Sequence, residues 1–285
     1  MPDVFTDNRG LLFSVAYRLT GSVADAEDIV QDSWLRWSAV DTGEVRAPVP
    51  YLVKTVTNLA INQLTSARAR RETYVGPWLP EPLLTSADAA EEVEMAETVS
   101  MAMLVVLESL SPLERAVFVL GDVFGYGHAE IADILDRDPA AVRQLAHRAR
   151  QHVQARRPRY ETDEATRADV VERFLSACAG GDLAGLMEVL APDVTAWSDG
   201  GGKVSAARRP VSGADNVARW LLGVLAKPGA QGVTVQPARI NGELAVLGLV
   251  DGVAAGSVHF ELDGDRIVGL RLVLNPDKLR GLTQG

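Results

Sequence analysis

The sequence predicts a multidomain chain in which two all-α parts precede one α+β part. Three observations carry that reading. Apolar residues recur at helical spacing through residues 8–72 and again from about residue 101 to residue 154. Within that span Gly127–Gln154, GHAEIADILDRDPAAVRQLAHRARQHVQ, reads as two helices joined by a tight turn. Beyond residue 230 the pattern changes, and Asn241-Gly242, Asp251-Gly252 and Asp263-Gly264 each separate apolar stretches in the manner of β-hairpins.

Composition bounds the functions available. A chain of 285 residues with 47% hydrophobic content can bury two or three cores. Its net charge of −10 excludes a protein that coats nucleic acid indiscriminately, because such binding is driven by phosphate neutralisation. The single cysteine, Cys178, lies beside Phe174 and Leu175 on an apolar helical face, which excludes a disulfide framework. No apolar run approaches a membrane span, and the N-terminus has neither a basic nor an apolar leader region, so a cytoplasmic location is expected. The scattered histidines have no metal-ligand spacing, and GDVFGYG lies between helices rather than after a strand, so no cofactor is expected.

Taken in order, residues 8–20 predict a first helix with Leu11, Leu12, Val15 and Leu19 inward. Ser22 caps a second helix whose buried stripe is expected to be Ala26, Ile29, Val30, Trp34 and Trp37, with Asp25, Asp28, Gln31 and Asp32 on the other side. Such an acidic face is usually plain solvated surface. After Pro48 and Pro50 a long helix buries Leu52, Val56 and Leu59 and sets Lys54, Asn58 and Asn62 along another face, closing on Arg68, Arg70 and Arg71. Basic residues suit a helix C-terminus in any case. Mid-helix asparagines have poor helix propensity, and their amides suit base edges.

Residues 73–98 contain no lysine or arginine while Glu81, Asp88, Glu91, Glu92, Glu94 and Glu97 accumulate, which makes an acidic linker. Within it Trp78 and Leu79 are too apolar to stand idle in water. Ser111-Pro112-Leu113-Glu114 is a capping box with proline at the first helical position. In the helix-turn-helix, Ile131, Ile134 and Leu135 form one stripe and Asp138-Pro139 opens the second helix. There Val142, Leu145, Ala146, Ala149 and Val153 face inward, opposite Arg143, Gln144, His147, Arg148, Arg150 and Gln151. From Ala140 to Tyr160 there are six arginines and no acid. A solvated basic helix would show the same charge; a helix that enters the major groove needs it.

In the last third, Val171, Phe174, Leu175 and Cys178 mark one helix, and Leu183, Leu186, Met187 and Leu190 a second. An antiparallel sheet is expected to follow, with Val258, Phe260 and Leu262 alternating with Ser257, His259 and Glu261. Gly200–Gly202 reads as a mobile loop, and Asp199 beside it as a solvated carboxylate.

DAEDIVQDSWLRW, the Asn58/Asn62 helix, SPLERAVFVL and the helix-turn-helix, in that order, resemble an extracytoplasmic-function (ECF) sigma factor of bacterial RNA polymerase, which keeps only sigma-70 regions 2 and 4. The resemblance implies a region 2 helical bundle over residues 1–72, the linker over 73–98 and region 4 over 99–159. It implies that Asp28, Gln31 and Asp32 grip the clamp helices of the largest polymerase subunit. Lys54, Asn58, Asn62, Arg68, Arg70 and Arg71 would hold the melted −10 element. Arg143, Gln144, His147 and Arg148 would read the −35 element with Arg150 on phosphate, and region 4 would also meet the polymerase flap. Residues 160–285 resemble the NTF2-like cone of the SnoaL group, many of whose members have a pocket between helices and sheet; a small-molecule ligand in such a pocket is a candidate partner here. Trp78-Leu79-Pro80 in WLPEP, Asp199-Gly200-Gly201-Gly202-Lys203 and Asn275-Pro276-Asp277-Lys278-Leu279 resemble the three marks of sigma factors with a SnoaL-like extension. In that group the extension is a built-in regulator contacting the linker and region 2, so no anti-sigma protein is required.

Two other readings compete. A ligand-sensing helix-turn-helix regulator shares the basic helix but gives no role to the acidic–tryptophan helix or to Asn58 and Asn62. A cyclase or isomerase in the cone would use Asp199, His259 and Glu261 with Trp197 as a wall, and would need a group of shifted pKa in a dry pocket.

Overall fold

The computed structural model describes residues 4–41, 45–71, 73–85, 99–156 and 162–282, with backbone alone for 67–71. These divide into two compact units. The first holds the described residues up to Thr73 together with 99–156; the second holds Tyr74–Thr85 together with 162–282.

The first unit is all-helical: α1 (Val4–Asp7), α2 (Arg9–Thr20), α3 (Val23–Ser38), α4 (Pro48–Arg71), α5 (Met101–Glu108), α6 (Pro112–Phe118), a π-turn (Val119–Val123), α7 (His128–Leu135) and α8 (Pro139–Gln154). The helix expected over 8–20 is therefore preceded by a separate turn of helix. Ser22 caps α3 by accepting from the Asp25 N–H at 3.1 Å. Its buried stripe is Ala26, Ile29, Val30, Ser33 and Trp37; Trp34, expected inward, is 46% exposed. The step from Val30 to Ser33 to Trp37 keeps the helical period, and Trp34 falls to one side of it. Prolines at 48 and 50 lie in the first turn of α4, where their missing N–H groups cost nothing.

Asp138 accepts from Ala140 N at 2.7 Å and Pro139 takes the first position of α8, as the sequence predicts. The turn before it is made by Asp136, which closes α7 in the left-handed region at φ 51. The first three residues of GDVFGYG complete the π-turn, which Phe124 N closes by donating to Val119 O at 3.1 Å, and Gly125 follows at φ 74. A Cβ on Gly121 would stand 3.3 Å from Ile131, so the glycine lets α7 pack close.

The second unit is α+β: α9 (Glu164–Gly180), α10 (Leu183–Val189), β1 (Leu190–Asp199), β2 (Val211–Ser212), α11 (Ala214–Leu225), β3 (Thr234–Ile240), β4 (Glu243–Val250), β5 (Val253–Asp263) and β6 (Arg266–Val273). Leu190 starts a strand instead of ending a helix, and Met187 is 40% exposed. The sheet runs β2-β1-β6-β5-β4-β3 and is mixed, because β1 pairs parallel with β6. Helix α11 escaped the sequence reading although Val217, Ala218 and Leu221 mark its buried face. Asn241-Gly242 and Asp251-Gly252 have both residues at positive φ, as type I′ turns demand. The third turn is displaced by one residue: Asp263 pairs with Arg266, and Gly264 at φ 60 leads the loop.

One core forms where Val170, Val171 and Phe174 of α9, Leu186 of α10 and Val217 and Leu221 of α11 meet Val246, Phe260, Leu262, Leu270 and Leu272 of the sheet. Phe174 meets Phe260 edge-on at 5.3 Å between centroids. Alternation then sends Ser257, His259 and Glu261 to the opposite face, beside Arg271 and Trp197.

Candidate functional site

Two sets of side chains stand out in the helical unit. On α3, Asp28, Gln31 and Asp32 are exposed beside Trp34 and Leu35, themselves 46% and 52% exposed. An apolar pair set among acids is a surface with the chemistry of a docking site. On α8, Ala140, Arg143, Gln144, His147 and Arg148 line an open groove of about 530 Å³. Arg148 donates from Nε to Glu114 Oε1 at 3.0 Å, and Arg150 to Asp122 at 2.7 Å. Asp122 pushes the Arg150 guanidinium above its usual range.

On α4, Asn58 is half-buried and Asn62 exposed. Arg68, Arg70 and Arg71 continue the helix, but their side chains lie outside the described residues. Lys54 has a partner that no sequence pattern announced. Its ammonium donates to Asp136 Oδ1 at 2.7 Å and to Asp133 O at 2.8 Å, both at the end of α7. Arg115 makes a second link of this kind, donating to Leu19 O at the end of α2 and to Glu108, each at 2.6 Å. Only 3% of Arg115 is exposed, and burial lowers its pKa to about 9.

In the second unit the three sequence motifs converge on one carboxylate. Asp199, fully buried at the end of β1, accepts from Tyr74 OH at 2.5 Å and Gly201 N at 3.0 Å on one oxygen. The other accepts from Leu79 N at 2.9 Å and Lys278 Nζ at 2.7 Å. The expectation of a solvated Asp199 is overturned, because the strand carries the side chain into a site that already supplies donors. Lys278 also donates to Leu79 O and lies 4.0 Å from the Trp78 ring centroid and 5.2 Å from that of Tyr74. An ammonium between two aromatic faces and a carboxylate is a strong cation site. Burial and the Asp199 charge push the Tyr74 phenol upward, keeping it a donor.

The glycines have a packing role. Gly201 at φ 59 would put a Cβ 2.4 Å from Asn275, and Gly202 at φ 71 would put one 3.2 Å from Val75. Asn275 donates to Tyr74 OH at 2.9 Å and caps the turn Pro276–Lys278 by accepting from Asp277 N. Lys203 and Asp277 form an exposed ion pair across the loop. From Leu79 the chain runs through buried Pro80, Glu81 and Pro82 to the far edge of the sheet. There Leu84 bridges Ile240 antiparallel, Asn241 N donates to Leu83 O and Thr85 N to Arg239 O. Residues 74–85 are thus a strap tied to β1 at one end and to β3 at the other, with β6, β5 and β4 between. Tyr74 and Asn241 were missed by the sequence reading; Asn241 was visible as a turn residue, while its side chain also accepts from Leu83 N at 3.2 Å.

The residues a cyclase would need are otherwise engaged. His259 is 5% exposed, bonded to Ser257 at 3.0 Å, and burial beside Arg271 lowers its pKa to about 3. Glu261 pairs with Arg271 at 2.7 Å, and Arg271 lies over Trp197 at 5.0 Å.

Family models match at three places: sigma-70 region 2 over residues 4–70, sigma-70 region 4 over 100–153 and a SnoaL-like domain over 171–269. The ECF RNA polymerase sigma factor SigJ of Mycobacterium tuberculosis is 44% identical over 95% of this chain and 90% of its own. The chain belongs to the ECF sigma factors. The crystal structure of M. tuberculosis SigJ superposes with a TM-score of 0.78 at 41% identity, covering 96% of both chains. A probable ECF sigma factor of the same species, SigI, is 31% identical over 95% of this chain and 92% of its own. As a sigma factor the protein binds core RNA polymerase and promoter DNA and directs transcription initiation; it is not an enzyme. Helices α1–α4 are region 2, α5–α8 are region 4, and the α+β unit carries the SnoaL-like domain. No helix among the described residues is long and apolar enough to cross a membrane.

Proposed function

We propose that the extension regulates this sigma factor by holding the linker between regions 2 and 4. The observation that carries the reading is Asp199, on which donors from the linker (Tyr74, Leu79) and from the tail (Lys278) converge. The −10 and −35 elements lie about 25 base pairs apart by their names, some 85 Å of duplex at about 3.4 Å per step. Twelve strap residues could contribute about 40 Å of extended chain towards that span, and none of it while they are pinned. Lys54 and Arg115 meanwhile tie regions 2 and 4 to each other, which is a second obstacle to spanning a promoter.

In this reading Asp28, Gln31 and Asp32, with Trp34 and Leu35, meet basic clamp residues of the largest subunit. Lys54, Asn58, Asn62 and Arg68, Arg70 and Arg71 hold the −10 strand once Lys54 leaves Asp136. Arg143, Gln144, His147 and Arg148 read the −35 element while Arg150 holds phosphate, and region 4 also meets the flap. The protein works in the cytoplasm, no separate anti-sigma protein is obligatory, and any small-molecule signal acts through the extension.

A core-polymerase binding titration tests it. Lys278→Gln removes the cation that joins tail, strap and Asp199, and should raise core affinity at least severalfold in the full chain. Equal affinities for the two proteins would refute the regulatory role. This point variant is cleaner than deleting the tail, because Leu279 and Leu282 are 3% and 0% exposed and belong to the packing.

A further inference from the structure

We infer that Glu114 is a positioning residue for promoter reading: it fixes the orientation in which Arg148 meets the −35 element. The inference rests on the assignment of α8 as the reading helix and adds a residue outside it. Glu114 uses its two oxygens separately. Oε2 accepts from Ser111 Oγ at 2.7 Å and Ser111 N at 3.2 Å, completing the capping box of α6. Oε1 accepts from Arg148 Nε at 3.0 Å. The first pair of bonds, made within one turn of helix, fixes the carboxylate, so the second fixes the guanidinium.

Stability alone gives a weak reason for this pair. The Arg148 side chain is 60% exposed, and an ion pair of that kind contributes on the order of 0–1 kcal/mol. Geometry gives a better one. A guanidinium has five donors in a planar fork, and a guanine is read by two of them at once. With Nε committed to Glu114, the terminal Nη1/Nη2 edge is the edge that Arg148 presents. Arg148 stands on the groove shared with Arg143, Gln144 and His147. Holding the fork before contact removes rotamer freedom that binding would otherwise have to remove, and fixes which base edge matches it.

The acceptor arrangement supplies a selective test. A glutamine at 114 can keep only one oxygen. Facing Ser111, that oxygen preserves the cap, since glutamine serves at this position of a capping box. Its amide NH2 then faces Arg148 Nε, donor against donor. Glu114→Gln therefore leaves α6 capped and releases Arg148.

Holoenzyme assembled from core polymerase and the full chain is measured on a promoter and on variants that change each −35 base pair singly. Arg148→Ala should abolish discrimination at one base pair. Glu114→Gln should reduce it at that same base pair by about threefold to tenfold, with the preferences at other positions and the salt dependence retained, and the double variant should lose no more than Arg148→Ala. Arg148→Lys, which keeps the charge but has no Nε to be held, should reproduce the loss and keeps the test open should Glu114→Gln fold poorly. A Glu114→Gln profile identical to wild type, or one shifted by the same factor on every promoter, overturns the inference. So does an Arg148→Ala variant that loses affinity uniformly. A wild-type holoenzyme indifferent to every −35 change would overturn the assignment of α8 as well.

Discussion

Asp199→Asn tests the strap at the point where most of its bonds meet. The carboxylate accepts from Tyr74 OH, Leu79 N, Gly201 N and Lys278 Nζ at 2.5–3.0 Å. An amide keeps one acceptor oxygen and turns a donor towards the remaining groups. It also takes the Asp199 charge away from the Lys278 ammonium, which is 8% exposed. Breaking one side of a buried pair costs about 3–5 kcal/mol, and Lys278 recovers part of that through Leu79 O and the Trp78 face. A net loss of about 2–3 kcal/mol in strap docking corresponds to about a 30- to 150-fold shift towards the released strap. Amide hydrogen exchange reads this directly, because Leu83 and Thr85 donate their N–H groups to Asn241 and Arg239. Exchange at those two amides should accelerate by about that factor, whereas amides inside α9 and α11 should keep wild-type protection. Unchanged protection at Leu83 and Thr85 would mean that the strap is held by something other than the Asp199 centre.

Asp136→Asn should loosen regions 2 and 4 without disturbing the turn, because asparagine also accepts the left-handed conformation seen there at φ 51. The Lys54–Asp136 pair is largely exposed and worth about 0.2–1 kcal/mol, so a label-to-label distance measurement should show a small, salt-suppressed shift towards open forms; none at low salt would remove Lys54 as a latch. Replacing Asp28 and Asp32 together by alanine should weaken core binding while leaving helical content and Tm unchanged, since both are exposed on α3. The extension should lose stability as pH falls from about 6.5 towards 3. His259 is neutral when folded, with its pKa lowered to about 3, so the unfolded chain binds the extra proton in that window at up to about 1.4 kcal/mol per pH unit. His259→Gln should flatten this slope, and an unaltered slope would assign the acid sensitivity elsewhere.

What the sequence could disclose followed the range of the interactions. Caps and turns are local, so Ser22, the Ser111–Glu114 box, Asp138-Pro139 and the hairpins at Asn241-Gly242 and Asp251-Gly252 could be placed from neighbouring residues alone, and the third hairpin to within one residue. The parallel β1–β6 pairing joins residues some 70 positions apart with no turn to announce it, so an antiparallel sheet was expected instead. Trp34 misled because hydrophobicity outweighed period: the small Ser33 occupies the inward place, and the larger ring stays outside. Asp199 misled for a related reason. A carboxylate beside three glycines looks solvated until the tail's Lys278 and the linker's Tyr74, remote in sequence, are seen beside it. The three motifs could be picked out singly by resemblance, whereas their meeting at one carboxylate needed the fold.

In the proposed regulation the docked linker restrains a functional sigma factor. Run-off transcription with purified core polymerase and one cognate promoter tests it most directly, with wild type, Asp199→Asn and Lys278→Gln compared at equal, subsaturating concentration. Both variants should give more transcript than wild type, with the excess shrinking as sigma factor is raised to saturation. Output from stably folded variants that equals or falls below wild type across the titration would contradict it.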